Sequence, residues 1–388
     1  MNKENLIQNN TPALRFPPFT EGWVRKKLGD VAPLQRGFDL PVDKIIKGQY
    51  PVVFSNGILK FHNEFKAKAP GVVTGRSGTI GKVTFVEKDY WPHNTSLWVT
   101  NFMDNYPKFI FYFYSKYNLE RFGTGSGVPT LNRNDVHSQE EYFPSNAEQQ
   151  KIATFFTAID KKLSGLKEKK NLLEQYKKGA MQKLFAIAET DVRPSVRFKN
   201  TEGGDFADWE EKNGNEIFES VSNKNHNSDL PILAITQEYG AIPRDMIDYQ
   251  VSVTDKSVES YKVVEVGDYI ISLRSFQGGI EYSNYKGICS PAYIILKPFM
   301  PIDRRFYKYY FKTEYYIKQL NRNLEGIRDG KMISYKYFSE IELPYPSLEE
   351  QTQIANFLNA LDEKIQAVST QMEKMERWKK GLLQQMFV

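Results

Sequence analysis

EQQKIATFFTAIDKKLSGLKEKKNLLEQYKKGAMQKLF, Glu148 to Phe185, occurs a second time as EQTQIANFLNALDEKIQAVSTQMEKMERWKKGLLQQMF, Glu350 to Phe387. The two copies align without a gap at a constant offset of 202 residues. Of 38 paired positions 14 are identical, among them Glu148/Glu350, Asp160/Asp362, Gly179/Gly381 and Phe185/Phe387. A gapless match of this length marks a duplicated unit. In the second copy Ile354, Leu358, Leu361, Ile365, Val368, Met372, Met375, Leu382 and Met386 keep a 4-3 spacing that Lys379 interrupts. The first copy follows it at Ile152, Phe156, Ile159, Leu163 and Leu166, then places Lys170 and Lys177 on the same stripe. A 3.5-residue period over about four heptads predicts a coiled coil. An amphipathic helix laid on a globular core shows a similar stripe. The length of each copy and their mutual resemblance favour pairing through equivalent faces. Lys170, Lys177 and Lys379 are expected to loosen the seam.

Working outward, each repeated helix follows a globular region. Residues 1–20 read as a polar, loose tail. WVRKKLGDVAPLQRG opens the first head, residues 21–147, with strands expected at Tyr50–Phe54, Gly71–Thr74, Lys82–Val86 and Ser96–Val99. TGRSGTIG, Thr74 to Gly81, reads as a glycine turn. PKFIFYFYSKYNLERF, Pro107 to Phe122, reads as an aromatic helix, and GTGSGVPTLNRNDV, Gly123 to Val136, as a loop without regular structure. The first repeated helix occupies 148–187, a linker 188–207, the second head 208–349 and the second helix 350–388. The second head repeats the order of elements. Its strands are expected at Ile232–Ala234, Tyr269–Leu273 and Ala292–Leu296. RSFQGG (Arg274 to Gly279) reads as a turn, RRFYKYYFKTEYYIKQL (Arg304 to Leu320) as a helix, and EGIRDGKMISYKYF (Glu325 to Phe338) as a loop. Trp209 and Ile217 are spaced as Trp23 and Val31 are. An Arg-Phe pair precedes each head, at Arg15-Phe16 and Arg197-Phe198. Edges and helices repeat closely while the interiors have diverged, which suits two unlike targets read from one frame. A helix of about 33 residues is about 50 Å long, a little over one turn of B-DNA at about 3.4 Å per base step.

A chain of 388 residues implies two or three domains. With 40% hydrophobic and 26% charged residues it reads as a soluble protein, and a net charge of +5 permits a nucleic-acid partner without requiring one. Cys289 is the single cysteine, which excludes a disulfide framework, and the four histidines show no ligand spacing. No signal core or membrane-length apolar run is present, so a reducing cytoplasm and no membrane partner are expected.

Catalytic patterns are missing. GTGSG lacks the GK[ST] ending of a phosphate loop, and Phe16–Phe19 (FPPF) lacks the preceding Asn or Asp of an amino-methyltransferase motif. No nucleophile elbow, zinc-protease motif or carboxylate pair stands out. Basic and hydrogen-bonding residues do gather in the glycine loops. The first head offers Arg76, Ser77, Thr79, Lys82, Ser126, Thr130, Asn132 and Arg133. The second offers Arg274, Ser275, Gln277, Arg328, Lys331, Ser334 and Tyr335. Arg and Gln bond bidentately to guanine and adenine edges, and Ser, Thr and Lys hold phosphates. Any one of these side chains can instead be simply solvated. Their recurrence in both heads is what favours DNA contact.

The duplicated EQQKIATFFTAIDKKL and EQTQIANFLNALDEKI, the FPS and YPS approaches to them, the W…KKLGDV opening, GTGSGVPTLNRNDV and SPAYIILKP together resemble the specificity (S) subunit of a type I restriction-modification system, over nearly the whole chain. The second head departs at NGNEIF and at GIRDGKMISYKYF. The resemblance implies an α+β fold with two target-recognition domains, separated by two long helices that pair as an antiparallel coiled coil. Each domain would read one half of an asymmetric, bipartite site in double-stranded DNA. The helices would set the spacing and dock two modification subunits. S-adenosylmethionine, ATP and Mg are implied in the modification and restriction subunits, with no cofactor, metal or catalytic residue on this chain. The competing readings are a coiled-coil scaffold with two non-DNA ligand-binding heads and a stand-alone enzyme working through the glycine loops.

Overall fold

The computed structural model describes residues 10–125, 127–185, 194, 196–226, 229–247, 258–322 and 333–388. The first residues of the expected tail, part of the linker and most of the Glu325–Phe338 loop lie outside these. The chain divides into two compact units, residues 1–168 with 370–388, and residues 169–369. Each long helix is therefore shared. The first gives its beginning to the first unit and its end to the second, and the other helix does the reverse.

In the first unit, strand β1 (Val24–Lys27) is followed by one helical turn α1 (Leu28–Val31) and β2 (Leu34–Arg36). β3 (Tyr50–Phe54) and β4 (Gly57–His62) form a hairpin through the turn Ser55-Asn56, and Gly57, which opens β4, takes φ +110°. β5 (Gly71–Gly75) and β6 (Val83–Val86) form another, and β7 (Trp91–Pro92) precedes β8 (Ser96–Val99). One sheet runs β2-β8-β5-β6 and another β4-β3-β7. β5, GVVTG, is buried along its whole length, which explains its β-branched, polar-poor sequence. Helix α2 (Pro107–Lys116) starts on Pro107, whose missing N–H costs nothing at a helix start. It is shorter than expected. After Tyr117 the chain forms a 3₁₀ turn, Leu119–Phe122. The stretch expected as an irregular loop instead forms a small hairpin, β9 (Gly123–Thr124) with β10 (Thr130–Leu131), then α3 (Arg133–His137). β11 (Glu140–Phe143) closes the head by pairing antiparallel with β1.

The long helix α4 (Asn146–Leu184) then begins. In the second unit β12 (Glu210–Asn213), α5 (Gly214–Ile217) and β13 (Phe218–Val221) open the head. β14 (Leu233–Thr236) and β15 (Gly240–Pro243) form a hairpin, and β16 (Lys262–Val264) pairs with a later strand. β17 (Tyr269–Ile271) leads through one helical turn α6 (Ser275–Gly278) to β18 (Glu281–Tyr282). β19 (Gly287–Cys289), the partner of β16, and β20 (Ile294–Pro298) follow. The sheet order β13-β20-β17-β18 reproduces β2-β8-β5-β6 of the first head, although few residues match. The aromatic stretch read as one helix breaks in two, α7 (Arg304–Tyr310) and α8 (Glu314–Asn321), because Thr313 Oγ1 accepts the Tyr316 N–H at 3.2 Å and caps a new start. α9 (Tyr335–Ser339), β21 (Glu342–Tyr345, paired with β12) and the second long helix α10 (Leu348–Met386) complete the chain.

Within each unit the two helix segments run antiparallel. In the first, Ile152, Phe156 and Ile159 share a buried core with Leu382, Met386 and Phe387, and Leu163 and Met375 flank it. In the second, Met181, Leu184 and Phe185 share a core with Ile354, Leu358 and Leu361. Leu166 and Val368 are also buried, and Ile365 and Met372 half-buried. Phe387 stacks on Phe109 at 5.2 Å between centroids, and Phe185 meets Phe306 edge-on at 5.4 Å. The last aromatic of each helix thus enters the aromatic core of the head that precedes the other helix.

Two of the three lysines expected to loosen the seam meet an opposed charge across it. Lys379 Nζ lies 2.5 Å from Asp160 and Lys177 Nζ 2.5 Å from Asp362, while Lys170 reaches Glu174 on its own helix at 3.8 Å. A polar seam residue is tolerated when an opposed charge meets it. The residues before each head are likewise docked. Arg15 forms a two-pronged bond to Glu148, 2.7 Å on each oxygen, and Arg197 does the same to Glu350 at 2.9 and 2.7 Å. Both carboxylates are buried at helix starts, where a negative charge also suits the helix dipole. The stretch from Arg15 is therefore part of the fold and not a loose tail.

Candidate nucleic-acid interface

In the first head, three loops converge. Arg76 and Ser77 both donate their backbone N–H to Thr95 O, at 2.9 and 3.1 Å. Leu131 N–H donates to Arg76 O at 2.7 Å and Gly78 N–H to Pro129 O at 3.2 Å, with a bridge between Ser77 and Thr130. The two glycine stretches are thereby tied into one surface. The β3–β4 turn joins them, since Lys82 Nζ donates to Asn56 O at 2.5 Å. Gly75 permits this closeness: a Cβ there would lie 1.7 Å from Thr79 O and 2.8 Å from Ser55 O. Gly78 and Gly81 take φ of +84° and +86°, which L side chains rarely adopt.

Thr79, Lys82 and Arg133 are exposed on this surface, and Arg76, Ser77 and Thr130 half-buried. Asn132 caps α3 by accepting the Asn134 N–H at 3.0 Å, so its side-chain oxygen serves the helix. Ser126 lies outside the described residues. The sequence reading missed Asn56, Asn94 and Thr95, which belong to the same surface. Exposed Asp39 accepts from Arg36 at 2.7 Å and from Asn94, and these bonds hold its carboxyl below the usual range. The Asn-Gly pair at residues 56–57 was the available signal of a hairpin, with Asn56 in the turn and Gly57 at the start of β4.

The second head places its β14–β15 turn against the β17–β18 connection in the same topological position. Gln237 Nε2 donates to Arg274 O at 3.3 Å. A cavity of about 680 Å³ opens between them, lined by Gln237, Tyr239, Arg244, Arg274 and Tyr293 among others. Arg274 and Gln277 are exposed. Ser275 is not available for contact: it is 1% exposed and its Oγ accepts the Ser272 N–H at 2.8 Å, holding the turn together. Tyr335, half-buried, donates its hydroxyl to Phe218 O at 2.9 Å, which ties α9 to the sheet. Ser334 caps α9 through the Tyr337 N–H at 3.1 Å. Each of these three side chains makes a hydrogen bond within the fold. Arg328 and Lys331 lie outside the described residues. Beneath the surface, Lys312 bridges the buried Glu281 at 2.6 Å and Gly278 O at 2.9 Å. Burial raises the Glu281 carboxyl and lowers the Lys312 ammonium, while their mutual attraction opposes both shifts.

Among the described residues no group of three His, Cys, Asp or Glu is placed to hold a metal ion, and no helix is long and apolar enough to cross a membrane. Two stretches, residues 20–175 and 196–377, match the type I restriction modification DNA specificity domain. The chain belongs to that family. The two family domains cover the two heads and the greater part of the helices that follow them. The MjaVIII type I restriction enzyme specificity subunit of Methanocaldococcus jannaschii is 27% identical over 278 residues, covering 67% of this chain and 64% of that protein. A further relative from the same organism is 28% identical over 265 residues, covering 66% of this chain and 60% of its own length. The chain thus spans less than two thirds of these relatives. In fold it is similar to the S subunit of a type I restriction-modification system from M. genitalium, with a TM-score of 0.64 at 18% identity over 97% of this chain and 99% of that one.

Proposed function

We propose that this specificity-domain protein is the DNA sequence-specificity subunit of a type I restriction-modification complex. Each head reads one half of an asymmetric, bipartite site, and the helices set the spacing and dock two modification subunits. The observation that carries this reading is that two heads of divergent sequence keep one sheet order and press the same pair of hairpins together. A common scaffold with unlike loops is what reading two different sequences requires. Arg76, Thr79, Lys82, Thr130 and Arg133 serve the first half-site, and Arg274 and Gln277 the second. The chain itself carries no catalytic step. S-adenosylmethionine is held by the modification subunits, and ATP and Mg by the restriction subunits.

The experiment is co-expression with a modification subunit encoded beside this chain, followed by sequencing of methylated adenines. A bipartite asymmetric motif is the expected result. Methylation without a defined motif, or with a single continuous one, contradicts the reading.

A further inference from the structure

Strand β4 of the first head leaves four consecutive side chains exposed, Ile58, Leu59, Lys60 and Phe61. The three apolar ones are 42%, 58% and 51% exposed. β4 is the edge of its sheet. Ile46, 61% exposed, extends the strip, since its carbonyl accepts the Asn63 N–H at 3.1 Å beside the end of β4. Native sheets normally cover or charge such an edge, and an uncovered apolar strip marks a contact surface. The counterpart in the second head behaves differently. β15 is buried over Ala241–Pro243, and Ala241 bridges to Ser283. Among the described residues, this hairpin edge is open in the first head and buried in the second.

Two observations say what covers it. Residues 41–68 carry five lysines against Asp43 and Glu64, so the surroundings of the strip are basic. The ribbon is also continuous with the candidate interface, because its turn at Asn56 is the part that Lys82 grips. A two-stranded ribbon fits the major groove, about 12 Å wide, and presents alternate side chains to its two faces.

We infer that the β3–β4 ribbon is a second DNA-contacting element of the first head, inserted in the major groove of its half-site. Lys60 meets phosphate, and the exposed Phe61 and Leu59, the latter at the bulge in the strand, pack on sugars and thymine methyl groups. This rests on the specificity-subunit reading above and adds to it the mode of entry.

The test uses the full chain assembled with its modification subunits and duplexes carrying the mapped motif. Leu59→Ser/Phe61→Ser and Lys60→Ala change exposed side chains, so circular dichroism and the thermal midpoint should match the parent. The double variant is expected to bind at least about tenfold more weakly and to discriminate less against changes in the first half-site alone. Lys60→Ala should reduce the slope of log affinity on log salt by about one. Parent-like affinity and slope overturn the inference. So does loss of the modification subunits with DNA affinity retained, which would make the strip a protein contact. If the parent complex itself shows no motif-specific binding, the specificity-subunit reading fails, and the ribbon with it.

Discussion

Lys379 Nζ lies 2.5 Å from Asp160 Oδ1, while Tyr112 donates to the other oxygen of the same carboxylate at 2.7 Å. The second unit repeats the arrangement with Lys177, Asp362 and Tyr309, at 2.5 and 2.8 Å. In each unit the aspartate comes from one copy of the repeat and the lysine from the other. The tyrosine comes from the head. One carboxylate therefore fixes the register of the helix pair and ties the head to it. Replacing Lys379 by Met should cost about 1 kcal/mol, because Asp160 is partly exposed and keeps its tyrosine partner. Asp160→Asn together with Lys379→Met should cost less than the sum of the single changes by at least about 0.5 kcal/mol, measured by urea denaturation. Strict additivity would show that the pair is not coupled.

Arg15 and Arg197 invite a comparison between units. Glu350 accepts from Trp209 Nε1 at 2.9 Å as well as from Arg197, whereas Trp23 Nε1 in the first unit is buried without a partner among the described residues. Removing Arg15 strands a buried carboxylate and should cost about 3–5 kcal/mol. Arg197→Ala should cost less by about 1–2 kcal/mol, since Glu350 retains one donor. Hydrogen exchange localised to each unit measures both. Equal losses would contradict the account of Glu350.

The first unit should weaken in acid. Burial holds the imidazoles of His93 and His137 below their ordinary value of 6.5, and His137 Nε2 accepts the Leu34 N–H at 2.8 Å, which requires the neutral ring. The folded state thus binds protons more weakly than the unfolded chain. Stability from these groups is complete above the unfolded pKa, falls as pH drops below about 6.5, and levels off below the folded pKa. His137→Gln keeps an acceptor without a titrating group, so its urea midpoint should change less than the parent's between about pH 7.5 and about pH 5.5. An identical pH dependence would remove His137 from the explanation.

Two glycines of the first head make opposite predictions. A Cβ at Gly75 meets Thr79 O at 1.7 Å, whereas among the described residues nothing lies within 4 Å of one at Gly127. Gly75→Ala should cost about 1–3 kcal/mol and impair reading of the first half-site only. Gly127→Ala should leave stability unchanged. Methylation mapping with thermal denaturation separates the two, and a harmless Gly75→Ala would mean the loops do not need that closeness.

Much of this frame was legible in the sequence because a duplication prints its constraints twice. The identical Glu148/Glu350, Asp160/Asp362 and Lys177/Lys379 pairs are the residues that anchor the helix starts and bridge the seam, and the repeated Arg-Phe pairs dock on the two glutamates. What a linear reading lacks is the crossing of partners. Lys379 looks like a fault in the seam until the antiparallel pairing brings Asp160 to it. The interface was read less well, because exposure is a property of the folded surface. Ser275 and Tyr335 have the chemistry of DNA contacts, yet one holds a turn and the other a helix. Asn56 and Thr95 had no local pattern beyond a hairpin turn, and only the meeting of three loops places them with Arg76.

The central claim is that each head reads its own half-site. Replacing residues 21–147 with the first head of another specificity-domain protein, followed by sequencing of methylated adenines, tests it most directly. The account predicts that one half of the motif changes while the other half and the spacer remain. A change in both halves, or in neither, would contradict it.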